Sequence, residues 1–400
     1  MSPVLARLLA GFSPLTIGLG ITMTVSYGVL FYSFAILAPV IMRDFGWSRT
    51  FVFGAFSAAL VAGAILAPVS GRLLDRHGGR FVLSLGTVIS SLALASMMLV
   101  QNPASFFAAL FAIEATATFV QYEAGFGALT QYKGNGARPY ISAVTLIAGF
   151  SSTLFWPFCG WLIQHLTWRE TYLVLAAVNL VVSLPIHLML PRHSSAHATG
   201  EVAHSALPAY RPVAQGDRRR VLVLLAISFS AGGFVVAAVQ SHFPRIFVEA
   251  GYTVVAATAF GAMIGPFQVG SRIIELLYGQ RHHPVRVGII ANCALVVGVA
   301  FLLAIGLGWF TAILFAIFFG TGQGLAHIVR GAVPLALFGP TGYGRLTGNL
   351  GFVRILATAS APFLVALLSD TFSNQVSILF VAAVAAISML ALLPLASYAK

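Results

Sequence analysis

Ionisable side chains lie deep inside several long apolar stretches of this sequence, and these residues are the best placed for chemistry. Four of them are Glu114, Glu123, Arg330 and Arg354. An ionised group costs about 2.5–3.5 kcal/mol at the centre of a membrane helix, so each should face the protein interior or a wet cavity. A buried carboxyl can exchange a proton, and an arginine fork binds carboxylate or phosphate. The pattern predicts proton coupling and anion binding.

A polar stripe along one apolar stretch supports this interpretation. Gln323, His327, Arg330 and Pro334 follow one another at spacings of 4, 3 and 4, which places them on one face of a helix. Such a stripe lines water or substrate, and we predict Gln323, His327, Arg330 and Arg354 as substrate-binding residues. The alternative for Arg330 and Arg354 is a hydrogen-bond network that joins neighbouring helices.

Glu114 and Glu123 differ in their predicted depth in the membrane. Taken from the span centres at 1.5 Å per residue, Glu123, Arg330 and Arg354 lie about 8, 10 and 5 Å towards one membrane face. Glu114 lies about 5 Å towards the other face. In one continuous helix the nine residues between the acids turn the chain by about 900°, which puts the acids on opposite faces. We predict Glu123 as the proton-coupling residue, with Glu114 as the alternative.

Twelve long apolar stretches carry these residues. A bilayer core of about 30 Å needs roughly 20 apolar residues in a helix, because no water there satisfies the backbone. The chain has 400 residues, 59% of them hydrophobic and 8% charged, with 32 Phe. We predict an all-α membrane protein with spans at 15–42, 49–73, 81–101, 104–131, 139–163, 170–190, 220–241, 253–278, 285–306, 309–338, 345–369 and 374–397.

Basic residues are distributed unevenly between the two sides of these spans. Of the 22 Lys and Arg, three lie deep inside spans and four (Arg43, Arg49, Arg169 and Arg245) lie in loops or at span ends on one side, which leaves fifteen in loops or at span ends on the other. This positive-inside bias predicts that both termini are cytoplasmic. It also accounts for the net charge of +12 without any nucleic acid, because basic residues lie against anionic lipid.

The longest polar break, 192–218, divides the twelve spans into six and six. It is rich in Ser, Ala, His and Pro and is typical of a flexible linker. We therefore predict two six-helix bundles, 1–191 and 219–400, joined by a cytoplasmic linker. Its histidines His193, His197 and His204 are interpreted as part of a solvated linker and not as a metal site.

A charged loop between the second and third spans, GRLLDRHGGR at 71–80, identifies a family. It resembles the signature Gly-x-x-x-Asp-Arg-x-Gly-Arg-Arg of the major facilitator superfamily, which Gly71, Asp75, Arg76, Gly78 and Arg80 match. The resemblance implies twelve helices in two bundles, with this loop as part of the cytoplasmic gate. Asp75 can accept hydrogen bonds from a helix N-terminus or a basic residue.

Weaker resemblances concern the substrate. DFGWSR at 44–49 is similar to bacterial monocarboxylate and oxalate/formate porters, although span 1 has VSYG without their acidic residue. In one alignment of the two halves, Arg272 and Glu275 are a diverged copy of the gate signature. In the other, Arg272 matches the helix-8 arginine that binds carboxylates in those porters. The antiporter motif of helix 5 is matched only at Pro157 and Gly160.

Other functions lack their motifs. GTGQG at 320–324 has no dinucleotide-loop spacing, and neither an ATP-binding loop nor a hydrolase motif is present. The sequence therefore predicts no enzyme, cofactor or metal. It predicts a monomeric secondary transporter of the inner membrane that moves a small, anionic or polar-edged organic solute, coupled to protons, by alternating access. The alternative is proton-coupled efflux of an amphipathic compound.

Overall fold

The computed structural model describes residues 12–191, 213–252 and 254–399, which are helical throughout without a β-strand. The helices before the linker are α1 (Pro14–Tyr27), α2 (Ser33–Phe45), α3 (Arg49–His77), α4 (Gly79–Ala95), α5 (Pro103–Ala117), α6 (Tyr122–Lys133), α7 (Arg138–Ala148), α8 (Ser151–His165), α9 (Trp168–Val178) and α10 (Leu184–Leu188). Those after it are α11 (Arg218–Glu249), α12 (Val254–Tyr278), α13 (Pro284–Leu303), α14 (Trp309–Phe338), α15 (Tyr343–Thr371) and α16 (Asn374–Leu392).

Most of these helices lie in stretches that are long enough and apolar enough to be membrane spans. Ten stretches of the described residues are long and apolar enough to cross a membrane. One of them, Pro103–His165, holds two predicted spans, and the 25-residue helix α12 lies at the predicted eighth span. The chain is therefore a multi-pass all-α membrane protein, and its helices are consistent with twelve spans.

Polar residues cap the helices where the sequence leaves the apolar stretches. The Ser48 hydroxyl accepts a hydrogen bond from the backbone N–H of Phe51 at the start of α3. Thr167 and Glu170 form a reciprocal capping box at the start of α9. Each cap satisfies N–H groups that have no partner inside the helix, which explains why the helices begin at these residues.

The fourth span is broken, which corrects the prediction of one continuous helix over 104–131. Helix α5 ends at Ala117, Gln121 has extended backbone angles (φ −92°, ψ −170°), and α6 begins at Tyr122. The rotation of about 900° between Glu114 and Glu123 therefore does not apply, because the two acids belong to separate helices. Glu123 lies in the first turn of α6, where the helix dipole favours an acid.

The described residues form two compact units. The first contains the residues up to Pro191 together with Gly339–Phe352, and the second contains those from Val213 to Phe338 together with Val353 onward. The first ten residues of α15 thus belong to the first unit. Most of the predicted linker, residues 192–212 with its three histidines, lies outside the described residues. Its end does not: Val213 donates a backbone hydrogen bond to Leu337, and Gln215–Asp217 form a 3₁₀ turn that leads into α11.

The first unit is held together by an apolar core and by polar contacts at one end. Trp168 Nε1 donates to Asp44 at 2.9 Å, and Arg169 forms an ion pair with the same carboxylate at 3.1 Å. The Arg169 guanidinium also donates to the Val100 carbonyl and stacks 4.1 Å from the Trp168 ring. These contacts join the end of α2, the start of α9 and the residues that follow α4.

A second polar layer lies inside the first unit, between α4 and the π-helical segment Asn179–Ser183. The Asn179 amide donates to the hydroxyls of Ser90 and Ser91, both at 3.0 Å, and all three side chains are buried. The second unit has a comparable contact, because the Asn292 amide donates to Ser228 Oγ. Each asparagine joins helices by side-chain hydrogen bonds inside an apolar core.

Replacing Asn179 by leucine tests whether this layer stabilises the first unit. Leucine keeps the volume but leaves the two serine hydroxyls without their donor, so we expect a loss of about 1–2 kcal/mol of stability. The apparent melting temperature of the purified protein measures it. Leu180→Ala, at an exposed neighbouring position, is the control and should leave the melting temperature nearly unchanged. An equal decrease in both variants would contradict a specific role for Asn179.

Candidate functional site

Asp75, the acid of the charged loop, binds the start of α15. Its Oδ1 accepts a hydrogen bond from the Gly344 N–H at 2.9 Å, and its Oδ2 accepts one from the Arg345 N–H at 2.7 Å. Both donors are among the first N–H groups of a helix, which have no partner inside the helix and carry the positive end of its dipole. The carboxylate therefore meets two charge-assisted hydrogen bonds in one geometry.

Small residues bring the two helices close enough for this contact. A Cβ atom added to Gly71 would overlap the Gly344 carbonyl oxygen, and one added to Gly344 would lie 2.6 Å from the Gly71 oxygen. Neither glycine can be replaced without separation of α3 and α15. Gly71 belongs to the predicted loop signature, whereas its partner Gly344 was not predicted.

The turn between α3 and α4 is supported from a third helix. Gly78 closes α3 with φ +81°, a conformation that favours glycine. The Gln131 side chain on α6 donates to the Leu74 carbonyl and accepts from the Gly79 N–H, both at 2.8 Å. Gln131 therefore holds the loop on both sides of the turn. Sequence inspection missed this residue, since a lone glutamine near a helix end has no distinguishing pattern.

The basic residues of the loop point in different directions. Arg76 is exposed, whereas Arg80 is half-buried and donates to the Leu190 carbonyl at 3.5 Å. Beside it the Tyr132 hydroxyl donates to the Pro191 carbonyl at 2.9 Å. Arg80 and Tyr132 thus hold the end of the sixth span at the point where the predicted linker begins.

The two predicted proton-coupling acids have different surroundings in the first unit. Glu114 is buried, and its Oε1 atom has no hydrogen-bond partner among the described residues. It lies close enough to Tyr172 for its charge to act on the phenol. Glu123 is half-buried and lies near Tyr343, and its Cγ is 3.9 Å from the position of a Cβ added to Gly351.

The predicted substrate-binding residues of the second unit come together around His327. Its imidazole lies within electrostatic reach of Arg330, Arg272 and Arg354, and its Nδ1 is 2.8 Å from the Gln323 carbonyl oxygen. The side-chain Oε1 of Gln323 is buried without a hydrogen-bond partner among the described residues. The polar stripe on α14 thus meets arginines from α12 and α15.

Arg272 and Arg354 make further contacts inside the second unit. Arg272 is buried, and its Nε donates to the Gly324 carbonyl at 3.3 Å. Glu275, one turn away, is buried and accepts hydrogen bonds from Gln280. The stem of Arg354 packs against α11, because a Cβ added to Gly233 would lie 3.1 Å from the Arg354 Cγ.

The electrostatics of the second-unit cluster favour an anion. Three guanidinium groups act on one imidazole, so a ligand that carries a carboxylate or phosphate would gain charge-assisted hydrogen bonds there. No group of three or more His, Cys, Asp or Glu in the described part of the chain could hold a metal ion. Guanidinium, imidazole and carboxyl side chains of this kind can bind ions and exchange protons.

Long membrane helices in two units, a charged loop that caps a helix and a buried arginine beside a polar stripe are typical of a membrane transporter. The family model of the major facilitator superfamily matches residues 19–317. The chain belongs to the major facilitator superfamily. It is a secondary transporter and not an enzyme, as the sequence predicted. No curated protein sequence matches the chain.

Solved structures of the same fold are similar over nearly the whole chain. The human organic anion transporter MFSD10 (TETRAN) has a TM-score of 0.73 at 15% identity, covering 98% of this chain and 100% of that one. The transporter FucP in the outward conformation has 0.71 at 16%, covering 96% and 98%. The proton:xylose symporter XylE has 0.70 at 13%, covering 96% of both chains. These likenesses confirm the major facilitator fold.

Replacing Asp75 by asparagine tests the contact between α3 and α15. The amide keeps one acceptor but puts an NH₂ group opposite the second N–H donor and removes the charge. We expect transport to fall by about tenfold or more, because hydrogen bonds to charged groups contribute about 1.5–3 kcal/mol. Radiolabelled-solute uptake in proteoliposomes measures it, once the solute is known.

The neutralisation of an acid elsewhere provides the control for Asp75→Asn. Glu249 is exposed at the end of α11, and Glu249→Gln should transport normally. Membrane abundance and ligand affinity of Asp75→Asn should stay near those of the wild type. An Asp75→Asn protein that transports like the wild type would remove Asp75 from the gating mechanism.

Proposed function

We propose that this transporter moves a small organic anion and couples the movement to protons. The observation that carries the proposal is the cluster around His327, where Arg272, Arg330 and Arg354 act on one imidazole. Arg272 is buried and Arg330 and Arg354 are half-buried, and positive charge inside a membrane protein is costly unless an anion compensates it. A transported solute that carries a carboxylate or phosphate is such an anion.

Each residue of the cluster has a part in this proposal. Arg330 and Arg354 bind the anionic group through their planar forks, which match a carboxylate bidentately. The free Oε1 of Gln323 accepts a hydrogen bond from a hydroxyl or amide of the solute. His327 orients the solute. For Arg272 two roles stay open, either substrate binding or a structural role as part of a diverged gate signature. Its hydrogen bond to the Gly324 carbonyl on α14 is compatible with the structural role.

The carboxylates of the first unit are proposed to carry the proton. Glu123, in the first turn of α6 and near Tyr343, is the first candidate. Glu114 is the alternative, and its unsatisfied buried oxygen supports it. A carboxyl group in such surroundings changes its proton affinity when a charged solute arrives nearby, and this change links solute binding to proton uptake.

The charge distribution supports a location and an orientation of the transporter in the membrane. The excess of basic residues on one side supports an inner membrane location with both termini cytoplasmic. Alternating access would then move a monomer between two states, one of them held by the contact of Asp75 with the start of α15. The partners are the solute, protons and the surrounding lipid.

Two of the structurally similar proteins support the class of substrate and the coupling. MFSD10 is an organic anion transporter, and XylE is a proton:xylose symporter. For this chain both properties are part of the proposal. The alternative, proton-coupled efflux of an amphipathic compound, predicts the opposite direction of net movement.

A thermal-shift screen against small metabolites is the first test. A ligand at 100 times its dissociation constant stabilises the protein by about 2.7 kcal/mol, so an anionic solute should raise the melting temperature measurably. Solute movement in right-side-out and inverted vesicles under a proton gradient then separates uptake from efflux. A screen in which only cationic or uncharged compounds stabilise the protein would contradict the proposal.

Replacing Glu123 by glutamine tests the coupling. Glutamine cannot take up a proton, so gradient-driven accumulation should disappear while downhill exchange of the solute continues. Accumulation and exchange in proteoliposomes measure the two activities separately. Glu170→Gln, at an exposed helix cap, is the control and should keep both. If Glu123→Gln still accumulates solute, Glu114→Gln becomes the decisive variant.

Replacing the arginines by lysine tests the anion site. Lysine keeps the charge but loses the planar fork, so Arg330→Lys or Arg354→Lys should weaken binding by more than tenfold, about 1.4 kcal/mol. Membrane abundance should barely change. Arg281→Lys, at an exposed turn outside the cluster, should bind normally. Normal binding by both cluster variants would leave the arginines with a role in helix packing alone.

A further inference from the structure

Several arginines gather at one end of the second unit, where α11 and α13 begin. Helix α11 starts with Arg218, Arg219 and Arg220, all exposed, and its first turn contains no acid. Arg286 is exposed in the first turn of α13. Positive charge is disfavoured at the start of a helix, because the helix dipole is positive there. The Asp217 carboxylate at the N-cap of α11 offsets one of these charges, and the remaining excess of positive charge would be compensated by an anion from outside the protein.

Two of these arginines converge on the last residues of the chain. Arg286 donates to the Ala399 carbonyl at 3.2 Å. Arg220 lies close enough to the Tyr398 hydroxyl for its charge to act on it, and the Asp217 carboxylate lies beside the same hydroxyl. Because α16 packs against both α11 and α13, the two guanidinium groups flank the end of one helix.

Exposed apolar side chains continue from the arginines along each helix. On α11, Val223 (49% exposed) and Ile227 (42%) follow Arg219 at intervals of four residues. On α13, Ile290 (55%) follows Arg286 at the same interval. The end of α16 adds Leu390 (57%). Exposed apolar stripes on membrane helices face acyl chains, so the arginines lie at the depth of lipid headgroups.

We propose that the ends of α11, α13 and α16 form a binding site for an anionic phospholipid. Its phosphate would bind between Arg220 and Arg286, and its acyl chains would cover the stripe from Ile290 to Leu390. A soluble anion would satisfy the guanidinium groups alone, whereas a phospholipid matches both the charges and the apolar surface below them. The site is separate from the cluster around His327 and does not depend on the transported solute.

The test compares two pairs of substitutions that remove the same charge. Arg220→Gln with Arg286→Gln changes the proposed site, and Arg72→Gln with Arg281→Gln changes two exposed arginines elsewhere. Binding of phosphatidylglycerol and phosphatidylcholine to the full-length protein in detergent is measured by native mass spectrometry. Each arginine near an anionic surface contributes roughly fivefold, so the site variant should bind phosphatidylglycerol about thirtyfold more weakly. The control pair lies outside the proposed site, so its binding should stay within about threefold of the wild type, less than the effect of one arginine at the site.

A second measurement uses the wild-type protein and therefore does not depend on whether the variants fold. Its preference for phosphatidylglycerol over phosphatidylcholine should decrease as salt is raised, because salt screens exposed charges. Equal binding of both lipids by the wild type would overturn the proposal. Equal losses of phosphatidylglycerol binding in the two variant pairs would also overturn it. Full displacement of the lipid by glycerol 3-phosphate, which has the phosphate but no acyl chains, would do the same.

Discussion

The cost of placing charge and unpaired backbone groups in a bilayer is the constraint on which this structure depends. An ionised side chain at the centre of a membrane helix costs about 2.5–3.5 kcal/mol, and each unsatisfied backbone group costs several. The chain therefore keeps its backbone helical and allows charged residues only where the protein surrounds them. Arg272 and Glu114 are both buried in this way. An ionisable residue that is kept inside such a protein is therefore a candidate for a functional role.

The same constraint explains how the contact of Asp75 with α15 is built. Backbone donors at the start of a helix need an acceptor, and the Asp75 carboxylate satisfies two of them. Glycines at 71 and 344 permit the approach, and Gln131 holds the turn that carries the acid. The interaction uses no basic side chain, since both donors are backbone N–H groups. A contact of this kind is geometrically specific, because both oxygens must meet adjacent amides.

Local patterns in the sequence predicted the fold and supplied the residues of the candidate site. Apolar stretches predicted the membrane helices, and the loop around Asp75 predicted the family, which the comparisons confirmed. The partner of Asp75 could not be predicted, because Gly344 lies 269 residues away. Its donor is a backbone N–H group, which almost every residue has, so no residue type marks the position. The break before Tyr122 was missed for a related reason. Residues 118–121 carry neither proline nor glycine, so composition indicated one helix where backbone hydrogen bonding ends it.

The contacts of Asp44 with Trp168 and Arg169 have a consequence for how the protein is made. They join residues that are 124 and 125 positions apart. A ribosome that adds about 5–20 residues per second needs roughly 6–25 s to travel that distance. During this interval the earlier helices are already in the membrane with the Asp44 carboxylate unpaired at their end. The sixth span therefore supplies the partners of Asp44 last among the first six spans, and a chain truncated before Trp168 would expose an unfinished bundle to quality-control proteases.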